Sequence, residues 1–300
     1  MINNKSNTYG DSEDVQHLPD VGHLKATMNE TLLKVHNSEE LKDYQKYYWS
    51  YQFKLGSEIL LPHLIELNAF QKGSSVMEIG CGEGGVLAGF INAGAGYSVG
   101  TDIVALRLES GTQIGEIVGI KAELCKHDII YEELKPEWEG AFDLAILRDV
   151  IEHLDDAEQA LKNIKKILKP NGNLFVTFPP YHSPFGGHQH IVGTLPGKLP
   201  YIHLLPDFLF YFLIGGGRVR DIEEVRRLKR IRLTPDKFLH AARNAGFKVK
   251  YEMYYLLRPV FRIKFGLPPV KFGIFSKSRF LRNYFSLEAA YLLTNTNDNG

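Results

Sequence analysis

Four glycines follow a short apolar segment within residues 75–85, which read SVMEIGCGEGG. The apolar residues include the β-branched Val76 and Ile79, which favours a buried strand, and the glycines that follow predict a tight turn. Residues 86–92 then carry apolar side chains at helical spacing, so the turn would present backbone N–H groups at the N-terminus of a helix. Such groups attract anionic and polar ligands. The stretch therefore predicts a loop that binds a nucleotide-type cofactor.

An acidic residue stands where it can complete such a site. Asp102 follows the second predicted strand, residues 97–101, and lies roughly 20 residues beyond the first glycine of the loop. From that position a carboxylate can accept hydrogen bonds from both hydroxyls of a ribose. An Asp after a strand is more often a turn or helix-cap residue, but its spacing from the glycine loop favours cofactor binding.

A second polar segment follows the fourth predicted strand, residues 141–147. Residues 148–154 read RDVIEHL. Asp149, Glu152 and His153 are residue types that bind metal ions. A carboxylate near the first turn of a helix is also stabilised by the helix dipole without any metal, and that interpretation is the stronger one for Glu152 and His153. We therefore predict no metal site.

These two segments resemble the motifs of a known enzyme family. The order Glu78, Gly80, Gly82 and Gly84 resembles ExGxGxG, the first motif of the class I S-adenosylmethionine-dependent methyltransferases. The segment RDVIEHL resembles the fourth motif of the same family, particularly in the branch that includes quinone-biosynthesis O-methyltransferases. Members of this branch can place a divalent cation on the acidic and His residues of that segment.

The resemblance implies S-adenosylmethionine as the cofactor. It also implies that Asp128 takes the adenine amino group and that Ile103 and Ile129 enclose the adenine ring. The residues expected to contact the cofactor are Glu78, Gly80, Cys81, Gly82, Gly84, Asp102, Ile103, Asp128, Ile129 and Arg148.

Two alternatives stay open. Gly80, Gly82 and Gly85 also satisfy GxGxxG, which fits a nicotinamide-dependent oxidoreductase, although Glu78 and the RDVIEHL segment argue against that class. The other alternative is a catalytically inactive scaffold that binds the cofactor, because an intact cofactor site does not prove turnover.

Strands and helices alternate through the middle of the chain, which predicts an α/β fold with a parallel sheet. The resemblance implies a Rossmann-like sheet of seven strands in the order 3-2-1-4-5-7-6, with the last strand antiparallel and helices on both faces. We expect residues 1–37 to be a flexible lead-in and residues 38–72 a helical cover, with Ser38 as N-cap and Pro62 as a break. Residues 73–300 would form the methyltransferase domain, with insertions at about 180–233, which includes a lid, and at about 258–285.

Four histidines follow the fifth predicted strand: His182, His188, His190 and His203. His188 and His190 share a face of an extended segment and could chelate a metal, but no Cys or Asp cluster accompanies them. A His with a pKa near neutral also suits removal of a proton from an alcohol or phenol acceptor. We expect His188 or His190 to be the catalytic base, although hydrogen bonds within a tight loop explain both equally well. The product would be an O-methylated, partly hydrophobic small molecule, held under a lid formed by residues 201–214.

Charge is distributed unevenly along the chain. Lys plus Arg equals Asp plus Glu at 35 each, yet residues 218–282 hold 18 basic and 5 acidic residues, a net charge of about +13. No recognised nucleic-acid-binding module accompanies these charges, so we expect no nucleic acid partner. The apolar residues 208–214 lie between basic stretches; they could dock on an anionic membrane or a lipid-like substrate, or pack as a lid helix.

Composition also bounds the class of protein. With 44% hydrophobic and 23% charged residues, the chain resembles soluble globular proteins. Cys81 and Cys125 are too few for a disulfide framework, and the polar first 15 residues lack the apolar core of a signal peptide. We expect a cytoplasmic protein and leave its oligomeric state open.

Overall fold

The computed structural model describes residues 21–296, and an eight-stranded sheet forms its centre. The strands are β1 (Val76–Ile79), β2 (Ser98–Asp102), β3 (Glu123–Lys126), β4 (Phe142–Arg148), β5 (Leu168–Phe178), β6 (Phe247–Leu257), β7 (Val270–Lys271) and β8 (Glu288–Asn295). Their order is β3-β2-β1-β4-β5-β8-β6-β7. The pairs among β1 to β5 are parallel, and β8 is antiparallel to β5 and β6. The predicted α/β class, the strand order and the antiparallel last strand are confirmed. The predicted count of seven omits the two-residue edge strand β7.

Eleven α-helices occur within the described residues. They are α1 (Val21–Asn37), α2 (Asp43–Leu55), α3 (Leu61–Glu66), α4 (Gly85–Asn92), α5 (Ala105–Val118), α6 (Ala157–Ile167), α7 (Asp207–Ile214), α8 (Val219–Ile231), α9 (Pro235–Asn244), α10 (Val260–Phe265) and α11 (Arg279–Phe285). Helix α9 begins at a Thr-Pro pair: the Thr234 hydroxyl caps it by accepting the Lys237 N–H at 3.3 Å, and Pro235 fits the first turn.

Alternate residues of β4 pack into two different apolar clusters, one on each face of the sheet. Leu144 and Ile146 pack with residues of α3 and α4, whereas Ala145 and Leu147 pack with residues of α6 and α9. Successive side chains of a strand point to opposite faces, so both faces of this strand are covered by helices. This two-sided burial explains why β4 reads as a continuous apolar run.

The N-terminal helices differ from the sequence-based expectation. The prediction of a flexible lead-in is wrong for residues 21–37, which form α1 and bury Val35 against Trp49 and Ile114. Residues 1–20 lie outside the described residues. Ser38 is not the N-cap of the next helix, because α2 begins at Asp43, where the Lys42 N–H donates to Gln45 Oε1 at 2.9 Å. Pro62 lies in the first turn of α3 and follows a π-helical turn, Gly56–Leu60.

Two long segments leave the sheet at the same edge. Because β8 runs antiparallel to both β5 and β6, the carboxyl ends of β5 and β6 lie at the edge where β1, β2 and β4 also end. The chain between β5 and α9 contains α7 and α8, and the chain between β6 and β8 contains α10, β7 and α11. Within residues 21–296, no helix is both long and apolar enough to cross a bilayer. The carboxyl edge of the sheet is therefore the part of the fold that these segments cover.

Candidate active site

The glycine loop connects β1 to α4 through three residues in the left-handed region. Gly80, Gly82 and Gly84 have φ angles of 70°, 56° and 73°. At Gly80 a Cβ atom would overlap the side chain of Val150, so glycine is needed there for space as well as for conformation. At Gly82 the atoms nearest to a Cβ would belong to the Arg107 and Gln52 side chains, at 3.4 Å and 3.8 Å. These are ordinary contact distances, so glycine is needed at this position for its backbone conformation.

Glu78 supports this loop from within the sheet. Its side chain is buried, and Oε2 accepts the backbone N–H of Leu87, in the first turn of α4, at 2.9 Å. Burial raises the pKa of Glu78 to about 8, while the nearby Arg148 guanidinium acts in the opposite direction. Glu78 therefore fixes the first turn of α4 against β1.

Asp102 connects the end of β2 to the same loop. Its Oδ2 accepts the backbone N–H of Gly82 at 2.9 Å, and its Oδ1 accepts that of Val104 at 2.8 Å. The Cys81 N–H donates to the Thr101 carbonyl at 2.9 Å, which ties the loop to β2 a second time. The carboxylate predicted from its spacing alone thus lies directly against the glycine loop.

The predicted adenine contacts follow β2 and β3. Asp128 Oδ1 accepts the backbone N–H groups of Ile130 at 2.9 Å and Tyr131 at 3.3 Å, so the side chain closes a turn. Ile103 is exposed at the edge of the sheet, whereas Ile129 is buried in the core. The two side chains that were predicted to enclose one ring therefore have very different environments, and their role stays a prediction.

A polar group near the loop lacks a partner. Gln52 Oε1 is buried without a hydrogen-bond partner in the described part of the chain, and the Gln52 amide nitrogen lies 3.8 Å from where a Cβ of residue 82 would stand. Buried polar groups are normally hydrogen-bonded, so an unpartnered one beside the glycine loop suits a polar ligand. The glycine loop, Glu78, Asp102 and Gln52 together fit a nucleoside cofactor that carries an amino acid moiety. Sequence reasoning missed Gln52 because it lies on α2, outside the motif.

A buried ion network follows β4. Asp149 has a φ of 54°, and its carboxylate accepts from Arg148 Nη1 at 2.7 Å and, with both oxygens, from Arg258 Nη2. Arg258 Nε also donates to Glu288 Oε2 at 2.9 Å. The two arginines lower the pKa of Asp149 to about 2 despite its burial. Arg258 thus ties the end of β6 and the start of β8 to the RDVIEHL segment, and nothing in the sequence near Asp149 indicates these partners.

Glu152 lies at the centre of a second cluster. Both of its carboxylate oxygens are buried, and neither has a hydrogen-bond partner within residues 21–296. Nε2 of His153 and Nε2 of His188 each lie 3.8 Å from Glu152 Oε1, too far for a hydrogen bond. Candidate ligand atoms of the three residues lie within 4.8 Å of one another, so this donor set could hold a divalent cation. Asp149, which sequence reasoning grouped with Glu152 and His153, belongs to the ion network instead.

Burial and a second carboxylate set the charges in this cluster. Burial raises the pKa of Glu152 to about 7. Burial also lowers the pKa of His188 to about 3, with a further contribution from the nearby His153. For His153 burial is outweighed by a 2.6 Å hydrogen bond from Nδ1 to Glu224 Oε1 on α8, so its pKa is raised. The cluster therefore combines a neutral His188, a His153 whose pKa is raised by its carboxylate partner and a carboxyl group that titrates near neutral pH.

The structure separates the four histidines that follow β5. His190 is exposed, and its ring centroid lies 5.9 Å from that of His188, so these two are neighbours. His182 stacks on Tyr284, and His203 is buried with Nε2 2.7 Å from the Tyr181 carbonyl oxygen. Only His188 of this group contacts Glu152.

Comparison with known families identifies the class of protein. The family described as "Methyltransferase domain" matches residues 48–251, which include β1 to β5 and both motifs. The chain belongs to this methyltransferase family. It is an S-adenosylmethionine-dependent methyltransferase, as predicted, and neither the oxidoreductase nor the inactive scaffold is supported.

Curated relatives of this methyltransferase share modest identity with it. A ubiquinone biosynthesis O-methyltransferase of Coxiella burnetii is 26% identical over 166 residues, which are 53% of this chain and 69% of the relative. The protein of the same description from Rickettsia conorii is 30% identical over 191 residues, 59% of this chain and 63% of the relative.

Solved structures show the same fold at low identity. A putative sarcosine dimethylglycine methyltransferase from Galdieria sulphuraria has a TM-score of 0.51 and 12% identity, covering 80% of this methyltransferase and 85% of that chain. An S-adenosylmethionine-dependent methyltransferase from Clostridium acetobutylicum has a TM-score of 0.51 and 11% identity, covering 82% and 92%. At such identities the likeness concerns the fold alone.

Proposed function

We propose that this methyltransferase transfers a methyl group to an oxygen atom of a small, partly hydrophobic metabolite. The observation that carries the proposal is the unpartnered, buried carboxylate of Glu152 at the carboxyl edge of the sheet. A hydroxyl group is a natural partner for it, because the hydroxyl can donate its proton to a carboxylate that has no other donor. The O-methyltransferase names of the curated relatives agree with an oxygen acceptor.

The proposed cofactor site consists of the ten residues expected from the sequence, with Gln52 as an added contact. Glu78 supports the loop through the Leu87 N–H, and Asp102 lies beside the loop where it can accept from the ribose. When bound, S-adenosylmethionine supplies a methyl group on a sulfonium, which an acceptor oxygen attacks in line. The protein's own part is to hold that oxygen, take its proton and exclude water.

Glu152 is the side chain best suited to take the proton of the acceptor hydroxyl. A general base works best when its pKa lies near the operating pH, and the pKa of Glu152 is raised to about 7 by burial. His188, expected as a base from the sequence, has a pKa lowered to about 3, so it stays neutral and can orient the hydroxyl through a hydrogen bond. His190 is exposed beside it and stays an untested candidate. Glu224 holds His153 in place from α8.

The remaining proposals concern location and shape. Residues 201–214 act as a lid over a hydrophobic acceptor, anchored by the Tyr201 hydroxyl, which donates to the Tyr284 carbonyl at 2.9 Å. We place the protein in the cytoplasm with a small-molecule acceptor and no nucleic acid partner. Contact with a membrane is considered below.

The test uses labelled methyl donor and does not require the acceptor to be known. The full chain is incubated with S-adenosylmethionine carrying a labelled methyl group and a pooled metabolite extract, and the release of S-adenosylhomocysteine is measured. Glu152→Gln should lower turnover by about a hundredfold or more while the affinity for S-adenosylhomocysteine is kept. His188→Ala should also lower turnover.

The control is Glu223→Gln, which removes an exposed carboxylate of α8 next in sequence to Glu224 and should leave turnover unchanged. Turnover that survives Glu152→Gln, or a labelled methyl group found on nitrogen or carbon, contradicts the proposal. Loss of activity on dialysis against a chelator, restored by a divalent cation, assigns the cluster to a metal instead of a base.

A further inference from the structure

One side of α7 lacks any cover within the described residues. Seven of its eight residues are apolar, but only Phe210 and Ile214 are buried, in a small cluster with Val225 of α8. On the other side, Phe208 is 78% exposed and Phe212 is 82% exposed. Single exposed apolar side chains are ordinary in soluble proteins, but two exposed phenylalanines one turn apart form a bare helix face.

The neighbouring turn extends this surface. The short 3-10 turn Pro196–Lys198 packs against α7, and the leucines that flank it, Leu195 and Leu199, are both exposed. We call Leu195, Leu199, Phe208 and Phe212 the apolar face. Exposed apolar patches bounded by polar residues commonly mark an interaction surface for a protein or a membrane.

Cations border the apolar face. The Arg226 guanidinium lies 5.0 Å from the ring centroid of Tyr211 on α7, and Arg220 and Lys198 are exposed at either end of the segment. Within residues 21–296, none of these three forms a salt bridge, whereas Arg218 pairs with Asp221 and Lys229 with Asp207. These cations, which form no salt bridge within residues 21–296, favour an anionic partner. The exposed phenylalanines favour an apolar one.

The second segment at the same edge has a similar composition. Between β6 and β8 the exposed apolar residues Phe265, Ile274 and Phe275 alternate with the exposed Lys271 and Lys277. The two segments touch each other, because the His182 ring stacks on Tyr284. Both segments also leave the sheet at its carboxyl edge, where the glycine loop and the segment of Glu152 follow their strands.

We propose that the apolar face docks this methyltransferase on an anionic lipid bilayer, with the carboxyl edge of the sheet turned toward the lipid. The inference rests on the proposed function, since a membrane surface is where a hydrophobic acceptor would be concentrated. Helix α7 is about 12 Å long and cannot span a bilayer, so it lies in the interface with Phe208 and Phe212 among the acyl chains. The bordering cations face lipid phosphates.

The experiment is co-sedimentation of the full chain with vesicles. We expect binding to vesicles of equal parts phosphatidylcholine and phosphatidylglycerol, weak binding to phosphatidylcholine alone, and loss of binding at high salt. Phe208→Ser and Phe212→Ser should each weaken binding by about tenfold, since each removes one inserted aromatic side chain. Leu33→Ser is the control, because Leu33 is 59% exposed on the distant α1.

Charge-reversal variants distinguish lipid binding by particular arginines from a general effect of the protein's net charge. Arg220→Glu and Arg226→Glu together should weaken binding at least about 25-fold, because one basic residue near an anionic surface contributes about fivefold. Lys248→Glu and Lys250→Glu change the net charge equally, but both residues lie at the start of β6, the opposite edge of the sheet, and should have little effect.

Three outcomes overturn the inference. The first is an absence of vesicle binding, and the second is binding that the apolar-face and arginine variants leave unchanged. The third is a dimer, or a complex with an oligonucleotide, that the same variants dissociate in the absence of lipid. The affinity for S-adenosylhomocysteine, measured by calorimetry on each variant, should stay at its original value, so failure of docking is distinguishable from failure of the proposed function.

Discussion

The two sides of the carboxyl edge are built in different ways. On the cofactor side, the Glu78 and Asp102 carboxyl groups accept hydrogen bonds from backbone N–H groups no more than 20 residues away along the chain. On the acceptor side, Asp149 contacts Arg258 across 109 residues, and His153 contacts Glu224 across 71. There Glu152 has no hydrogen-bond partner in the described part of the chain.

The two sides therefore depend on different parts of the chain: the cofactor side on the backbone and the acceptor side on side chains. The cofactor side is formed mainly by a backbone turn, which local residue types determine, although Gln52 of α2 adds an unpartnered oxygen beside it. The acceptor side is formed by side chains from several elements, and it keeps a polar group unsatisfied. An unsatisfied buried group lowers the stability of the folded protein. Its presence is therefore better explained by the binding of a ligand than by a contribution to folding.

The largest expected effect comes from removing the central cation of the acceptor side. Arg258→Met leaves the carboxylates of Asp149 and Glu288 buried without their shared partner, which should lower the free energy of unfolding by about 3–5 kcal/mol. Denaturant titration measures the change. Arg262→Met is the matched control, since Arg262 lies four residues further along the chain, on α10, and is exposed.

If Arg258→Met does not fold, Arg258→Lys decides the same point. Lysine keeps the charge but lacks the planar fork that bonds both carboxylates, so it should restore only part of the stability. An Arg258→Lys variant as stable as the original protein would show that charge alone, without the geometry of the network, holds the acceptor side.

The next effect concerns the cofactor side. Gly80→Ala places a Cβ in the left-handed region and against Val150, so we expect a loss of about 1–2 kcal/mol from strain and about 1–3 kcal/mol more from overlap, together with weaker binding of S-adenosylhomocysteine. Gly119→Ala is the matched control, because Gly119 has a φ of 77° but no atom within 4 Å of its Cβ position. Equal losses in both variants would mean that only backbone strain matters at Gly80.

The smallest effect is an opposite pH dependence of two buried carboxyl groups, Glu78 on the cofactor side and Asp149 on the acceptor side. The folded protein raises the pKa of Glu78 from 4.5 to about 8, so the stability linked to its neutral form is lost as the pH rises through about 8. The folded protein lowers the pKa of Asp149 from 3.8 to about 2, so the stability linked to its ionised form is lost as the pH falls from 3.8 to about 2. Glu78→Gln should flatten the alkaline side of the stability profile, and Arg258→Lys the acidic side.

Unfolding free energies of the cofactor-free protein, measured across this pH range, check both slopes. Asp128→Asn is the control, since this residue closes a turn outside both buried groups. A profile in which Glu78→Gln changes the acidic side would contradict the separation of the two regions.

Much of the fold follows from local sequence signals. The glycine turn lies between a strand and a helix, as its residues predict, and α9 begins at a Thr-Pro pair that favours a helix start. Short-range rules failed where tertiary packing decides. Helix α1 is stabilised by burial of Val35, α2 has Lys42 as its N-cap residue instead of Ser38, and β7 pairs with the edge of β6.

By itself, the sequence determined the cofactor loop of this methyltransferase and its class, because a glycine turn between a strand and a helix is a local event with few alternative conformations. Only the tertiary structure decided the acceptor side. It brought Glu224 to His153, His188 to Glu152 and Arg258 to Asp149. These contacts depend on how distant elements pack, and no periodic pattern in the sequence indicates them. The physical reason is that backbone conformation responds to neighbouring residues, whereas a site made of side chains exists only once the sheet has brought its strands together.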